Sequence, residues 1–117
     1  MNTSEPTHAE RKQLLENELA RFVSILRQQK DADRVLVFGS LATGEVHPWS
    51  DIDLIIIQRT SQPFYQRLRT MRKLLRPKVG VDILVYTPEE FEQLQNERPF
   101  FRQEMLGKSK VVYERQR

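Results

Sequence analysis

The chain has 117 residues, 19 Lys and Arg against 16 Asp and Glu, and a formal net charge of +3. That length suits one domain spanning residues 1–117, and the basic excess is too weak to argue for direct nucleic-acid binding. The absence of cysteine excludes disulfides, thiolate zinc sites and cysteine nucleophiles. No apolar run approaches the ~20 residues of a membrane span, and the polar start from Met1 to Glu10 has no signal-peptide core. A cytoplasmic protein with no membrane partner is the expectation.

In chain order, Thr3, Ser4 and Thr7 are N-cap candidates ahead of Leu15, Leu19, Phe22 and Leu26. Those steps of four, three and four predict a helix from His8 to Lys30, with charges on its other face. Residues 1–8 are expected to be flexible, and Asp31-Ala-Asp33 reads as a turn. Val35-Leu-Val-Phe38 is an apolar run typical of a strand covered on both faces. One helical turn over Leu41–Gly44 follows, then a loop in which Pro48 forbids a regular element. Asp51–Ile57 is a second strand. Ser61-Gln-Pro63 starts a second helix, whose apolar face is Phe64, Leu68, Met71 and Leu75 and which Pro77 ends. Val79–Tyr86 is a third strand. Thr87-Pro-Glu-Glu90 is a strong helix start. Pro99 breaks that helix, Phe100–Leu106 form another closed by Gly107, and Lys110–Tyr113 make a short edge strand. The order predicts an α+β sandwich, a small mixed sheet of three or four strands packed against helices.

Chemistry concentrates between Phe38 and Leu54. Gly39-Ser40 ends a buried strand and opens a helical turn, so exposed N–H groups and the Ser40 hydroxyl suit a phosphate; an ordinary turn has the same look. Asp51 and Asp53 stand two apart, on one face of a strand, while Ile52, Leu54 and Ile56 point into the core. Two such acids repel each other, and a divalent cation compensates, magnesium or manganese by ligand type; a solvated strand end is the alternative. Asp82 lies within the apolar Val79–Tyr86 run, where an acid is costly unless paired or metal-bound. If its strand pairs with the second, Asp82 joins Asp51 and Asp53. Three carboxylates holding two cations make a clamp for phosphoryl or nucleotidyl transfer, with Asp82 near the attacking hydroxyl.

The stretch Phe38-Gly-Ser-Leu-Ala-Thr-Gly-Glu-Val-His-Pro-Trp-Ser-Asp-Ile-Asp-Leu54 resembles the nucleotidyltransferase superfamily of DNA polymerase beta, in its minimal, antitoxin-type branch. Gly39, Ser40, Gly44, Ser50, Asp51, Asp53 and Leu54 fit that pattern in register, and Asp82 fits the third carboxylate. The resemblance implies the polymerase beta-like fold. It implies that Gly39, Ser40, Gly44 and Ser50 bind the nucleotide and that Asp51, Asp53 and Asp82 bind magnesium, or manganese, and carry catalysis. It implies AMP transfer from ATP to an acceptor, most often a tyrosine on a HEPN-type toxin. A small-molecule acceptor, or an antitoxin that only binds, are the alternatives. Leu41 and Thr43 depart from the pattern, since many minimal members carry Arg at both positions.

Other candidates have two readings each. Arg67, Arg69, Arg72, Lys73, Arg76 and Lys78 form a basic helix and exit, either a solvated face or a surface for an acidic partner or nucleotide. Trp49 either stacks on a base or packs, and His47 reads as a surface residue. Phe100 and Phe101 are assigned to the core. The tail Val111–Arg117 is a candidate surface for a homo-oligomer or partner.

Overall fold

The computed structural model describes residues 7–116. The cap candidates Thr3 and Ser4, and the expectation of flexibility over residues 1–6, lie outside that range. The elements run α1 (His8–Gln29), β1 (Ala32–Phe38), α2 (Gly39–Thr43), β2 (Ile52–Gln58), α3 (Phe64–Leu75), β3 (Val81–Tyr86), α4 (Pro88–Glu97), α5 (Pro99–Lys108) and β4 (Lys110–Glu114). The four strands form one sheet in the order β3-β2-β1-β4. β1 is antiparallel to β2 and β4, and β2 is parallel to β3. This is the mixed sheet expected from the element order, with α3 as the crossover that a parallel pair requires.

One sheet face carries the main core. Leu15, Phe22 and Leu26 of α1 and Met71 and Leu75 of α3 pack on Val35, Val37, Ile52, Leu54, Ile56, Val81, Ile83 and Val85. On the other face Leu36, Ile55 and Ile57 meet Phe91 of α4, with Tyr86 and Phe101 packed alongside. β2 is therefore covered on both sides, which explains its unbroken apolar run. β3 is an edge strand and alternates buried and exposed residues instead.

Helix α1 starts at a capping box. Glu10 N donates to Thr7 Oγ1 at 3.1 Å, and the Glu10 carboxylate accepts from Thr7 N. Its inner stripe includes Glu18, which the charge pattern had assigned outward. Arg21 grips Glu18 through two hydrogen bonds of 2.7 and 2.8 Å, and Lys78 N donates to it at 2.6 Å. These contacts satisfy the buried acid and hold its pKa below the usual carboxylate range, the Arg21 bond contributing most.

Several boundaries differ from expectation. Asp31-Ala-Asp33 is not a turn: β1 begins at buried Ala32, and the extra residue Asp33 makes a bulge against β2. Arg115 N donates to Asp33 O at 2.8 Å, which ties the bulge to the chain's end. Pro63 is the N-cap of α3 rather than a residue inside it. The inner face of α3 is Arg67, Met71 and Leu75, whereas Phe64 and Leu68 are exposed. A buried guanidinium explains the turn of the helix: Arg67 meets Glu90 at 2.6 Å and donates to Gln62 O and Val85 O. β3 begins at Val81, not Val79. Gly107 lies inside α5, which is capped at Ser109, and Phe100 is exposed while Phe101 packs edge-on against Phe91.

Candidate functional site

The sheet register assembles the site. Phe38 is paired with Asp53, and Asp53 with Asp82. Phe38, Asp53 and Asp82 thus form one cross-strand row, with neighbouring strands ~4.8 Å apart. The core residues on either side, Ile52 and Leu54, Val81 and Ile83, face the opposite way. Because side chains alternate, burying those four presents Asp53 and Asp82 together on the other face.

Asp82 is exposed on edge strand β3. An acid within this apolar run was expected to need a partner; the alternation of β3 puts Asp82 on the exposed side of the strand, next to Asp53. Asp53 is half-buried. Burial, then the charge of Asp82 and a side-chain hydrogen bond with it, then the charge of Asp51, push the Asp53 carboxyl above its ordinary pKa. Asp51 is not a strand residue. It stands one position before β2, and its carboxylate Oδ1 meets Arg11 Nη2 at 3.3 Å. Among the described residues, no group of three or more His, Asp or Glu is gathered as one cation-holding cluster. Asp53 and Asp82 form a facing pair, and Asp51 is drawn aside.

Two glycines leave the acids their room. Gly39 has φ +62, a conformation that favours glycine, and a Cβ there would collide with the Asp53 carboxylate. A Cβ on Gly80 would collide with all three atoms of the Asp51 carboxyl group. Gly80 O also accepts from Ile52 N at 3.0 Å, so this backbone is locked beside the acid. The oxygen-only donor set and the space kept open beside it fit a hard divalent cation.

The residues assigned to the nucleotide flank this row. Gly39 and Ser40 open α2 directly after β1. Gly44 caps α2 at φ 89, its N–H donating to Ser40 O at 2.8 Å. Ser50 Oγ accepts from His47 N at 2.8 Å, which makes Ser50 a clasp of the loop before Asp51. Leu41 is buried in the core, which explains an apolar residue there, and Thr43 Oγ1 donates to Ser40 O at 3.4 Å. Trp49 is exposed and stacks flat on His47, with ring centroids 5.0 Å apart. It is not packed into the core.

Sequence reasoning missed Arg11 and Gly80. Arg11 is one cation among many on a charged helix face, with no sequence signal to distinguish it. A glycine just ahead of an acid-bearing strand was a usable signal for Gly80. The basic residues of α3 are not one surface: Arg67 is used inside the fold, and Arg72 donates to Val81 O at 3.2 Å. A groove of 830 Å³ beside β4, lined by Arg27, Lys30, Tyr113 and Arg115 among others, includes none of the site residues. No described helix is long and apolar enough to cross a membrane.

A sequence model of the family described as polymerase beta, nucleotidyltransferase matches residues 21–117. No curated protein matches the chain. Among solved structures, the chain is similar to a protein of Sulfolobus solfataricus described as a nucleotidyltransferase, at 17% identity and TM-score 0.65, over 97% of this chain and 94% of that one. It is similar to a toxin–antitoxin structure with AMP-PNP at 19% identity and TM-score 0.53, over 86% of this chain and 75% of that one. It is also similar to a spectinomycin adenyltransferase of Enterococcus faecialis, solved with ATP and spectinomycin, at 14% identity and TM-score 0.61. That match covers 87% of this chain and 57% of the other. At these identities the likeness concerns the fold.

Proposed function

The chain belongs to the polymerase beta nucleotidyltransferase family, and on that premise we propose that it transfers AMP from ATP to a tyrosine of a HEPN-type toxin and so acts as an antitoxin. The observation that carries this reading is the facing pair of Asp53 and Asp82, with Gly39 held open beside Asp53. The neighbours solved with AMP-PNP and with ATP support an adenine nucleotide, and the toxin–antitoxin neighbour supports a toxin partner.

Asp51, Asp53 and Asp82 would hold magnesium, with Asp51 turning in from its contact with Arg11. The bound ion supplies charge neutralisation for the phosphates and a lower pKa for the attacking hydroxyl. Gly39 and Ser40 hold the triphosphate through backbone N–H groups and the Ser40 hydroxyl. Gly44 and Ser50 keep the surrounding loop closed on the nucleotide. A carboxylate oxygen of Asp82, the most accessible acid of the facing pair, takes the proton of the acceptor hydroxyl. The acceptor oxygen bonds to the α-phosphorus as the bond to pyrophosphate breaks. Such catalysis is positioning and electrostatics rather than covalent chemistry by the protein.

A small-molecule acceptor is the second reading, favoured by the spectinomycin adenyltransferase likeness. The test uses labelled ATP, magnesium and either the candidate toxin or an aminoglycoside panel. Label on a toxin tyrosine, lost in the Asp51→Asn/Asp53→Asn variant, is the expected result. Label on a small molecule favours the second reading. Undiminished transfer in the double variant overturns the assignment of the site. Toxin neutralisation by that variant without transfer reassigns the protein to binding alone.

A further inference from the structure

Asp53 and Asp82 pair at this end of the sheet, Asp51 stands just before β2, and Arg11 contacts Asp51. Arg11 projects from the first turns of α1, which the Thr7–Glu10 capping box anchors. Its guanidinium divides between two partners: Nε donates to Ser50 O at 2.9 Å and Nη2 to Asp51 Oδ1 at 3.3 Å. The Arg11 side chain is only 15% exposed, against 53% for Asp51, so the cation is the sheltered member of the pair. Asp51 is held between this guanidinium and the Gly80 backbone. Asp53 and Asp82 make no ion pair among the described residues; they face each other.

We propose that Arg11 is a resident counter-ion of the site: it holds Asp51 when no divalent ion is bound, and releases that carboxylate while keeping Ser50 O when one arrives. Its Nε bond to a backbone carbonyl does not depend on the charge of Asp51, so the arm stays anchored as Nη2 lets go. Arg11 is thus a positioning residue with a cost: it keeps three like charges tolerable without metal, and it competes with metal for Asp51. This inference rests on the reading of Asp51 as a cation ligand.

Mn²⁺ titrated without nucleotide and followed by electron paramagnetic resonance tests it, alongside thermal unfolding in EDTA. Arg11→Gln should bind Mn²⁺ about 3- to 10-fold more tightly, the scale of one partly screened charge at close range, while melting lower in EDTA. Arg11→Lys, which keeps the charge, should bind Mn²⁺ within about twofold of wild type. A purely structural Arg11 would lower the melting point of Arg11→Gln in EDTA without tightening Mn²⁺ binding, and that result overturns the proposal. In wild-type protein, Mg²⁺ should shift the Arg11 Nη resonances and leave its Nε–Hε signal bonded; unmoved Nη signals overturn it even where Arg11→Gln fails to fold. Wild-type protein that takes up no Mn²⁺ overturns the cation site itself, whereas equal affinity in wild type and a folded Arg11→Gln overturns only the role of Arg11.

Discussion

Gly80 lies against the Asp51 carboxyl group, and the side chain it lacks is the space that carboxyl group occupies. The two meet because Ile52 N donates to Gly80 O as β2 and β3 begin their parallel pairing. Gly80→Ala forces Asp51 to swing, which its exposed side chain can do without unfolding the sheet. The expected cost to stability is about 1 kcal/mol, at the low end for overpacking. Transfer should fall about 100-fold, the usual result of misplacing a reacting group by an ångström. Circular dichroism melts and single-turnover labelling check the two halves. A Gly80→Ala variant with full activity would show that Asp51 needs no fixed place.

Asp53 should cost the metal-free protein stability at neutral pH. Its folded pKa is raised above the ordinary 3.8, first by burial and then by Asp82. A raised carboxyl contributes stability below about pH 3.8, and that contribution is lost as pH rises through the folded value. Asp53→Asn should therefore raise the melting point in EDTA at pH 7, by about 4 °C for each kcal/mol relieved, and raise it less at pH 4. The same variant should lower transfer by about 10³-fold or more, since charge stabilisation by a bound ion is worth several kcal/mol. A lower melting point for Asp53→Asn at pH 7 contradicts the argument.

Asp82 sets the contrast. It is exposed, so Asp82→Asn should change stability by no more than about 0.5 kcal/mol. Loss of a proton acceptor should nonetheless lower transfer by about 10²- to 10⁴-fold.

Arg67 and Glu90 supply the main stability test away from the site. Arg67 is buried, and Glu90 accepts from it at 2.6 and 3.2 Å while closing the α4 capping box with Thr87. Arg67→Ala should cost about 3 kcal/mol, the lower end for breaking a buried pair, because Glu90 is partly exposed. Glu90, held low mainly by Arg67, and Glu18, held low mainly by Arg21, both have folded pKa values below 4.5. Their contribution is complete above about pH 4.5 and is lost as pH falls through the lower folded values. Melting points measured from pH 6 down to pH 3 should drop below pH 4.5, and less steeply in Glu90→Gln.

The site was legible where period alone decides. Ile52 and Leu54, core residues on either side of Asp53, point that acid away from the core, whereas Asp51 stands before the strand and is placed by Arg11 and Gly80. The pairing that brings in Asp82 follows from Val81, Ile83 and Val85 needing the same core as Ile52, Leu54 and Ile56. Legibility failed where a charged side chain was satisfied by partners distant in sequence. Arg67 meets Glu90, Glu18 meets Lys78 N, and Arg11 meets Asp51. Each such partner turns a polar residue inward against its hydropathy. The inner face of α3 was misread for this reason, and Arg11 was not singled out at all.

Strands β2 and β3 carry two interleaved messages. Positions 52, 54, 56, 81, 83 and 85 encode the core, while 53 and 82 encode the chemistry. Neither set touches the other's face. Over 52–54 and 81–83, selection for stability and selection for activity should therefore act on alternate letters of the same words; further along β2 the two merge, because Ile55 and Ile57 on the face of Asp53 are core as well.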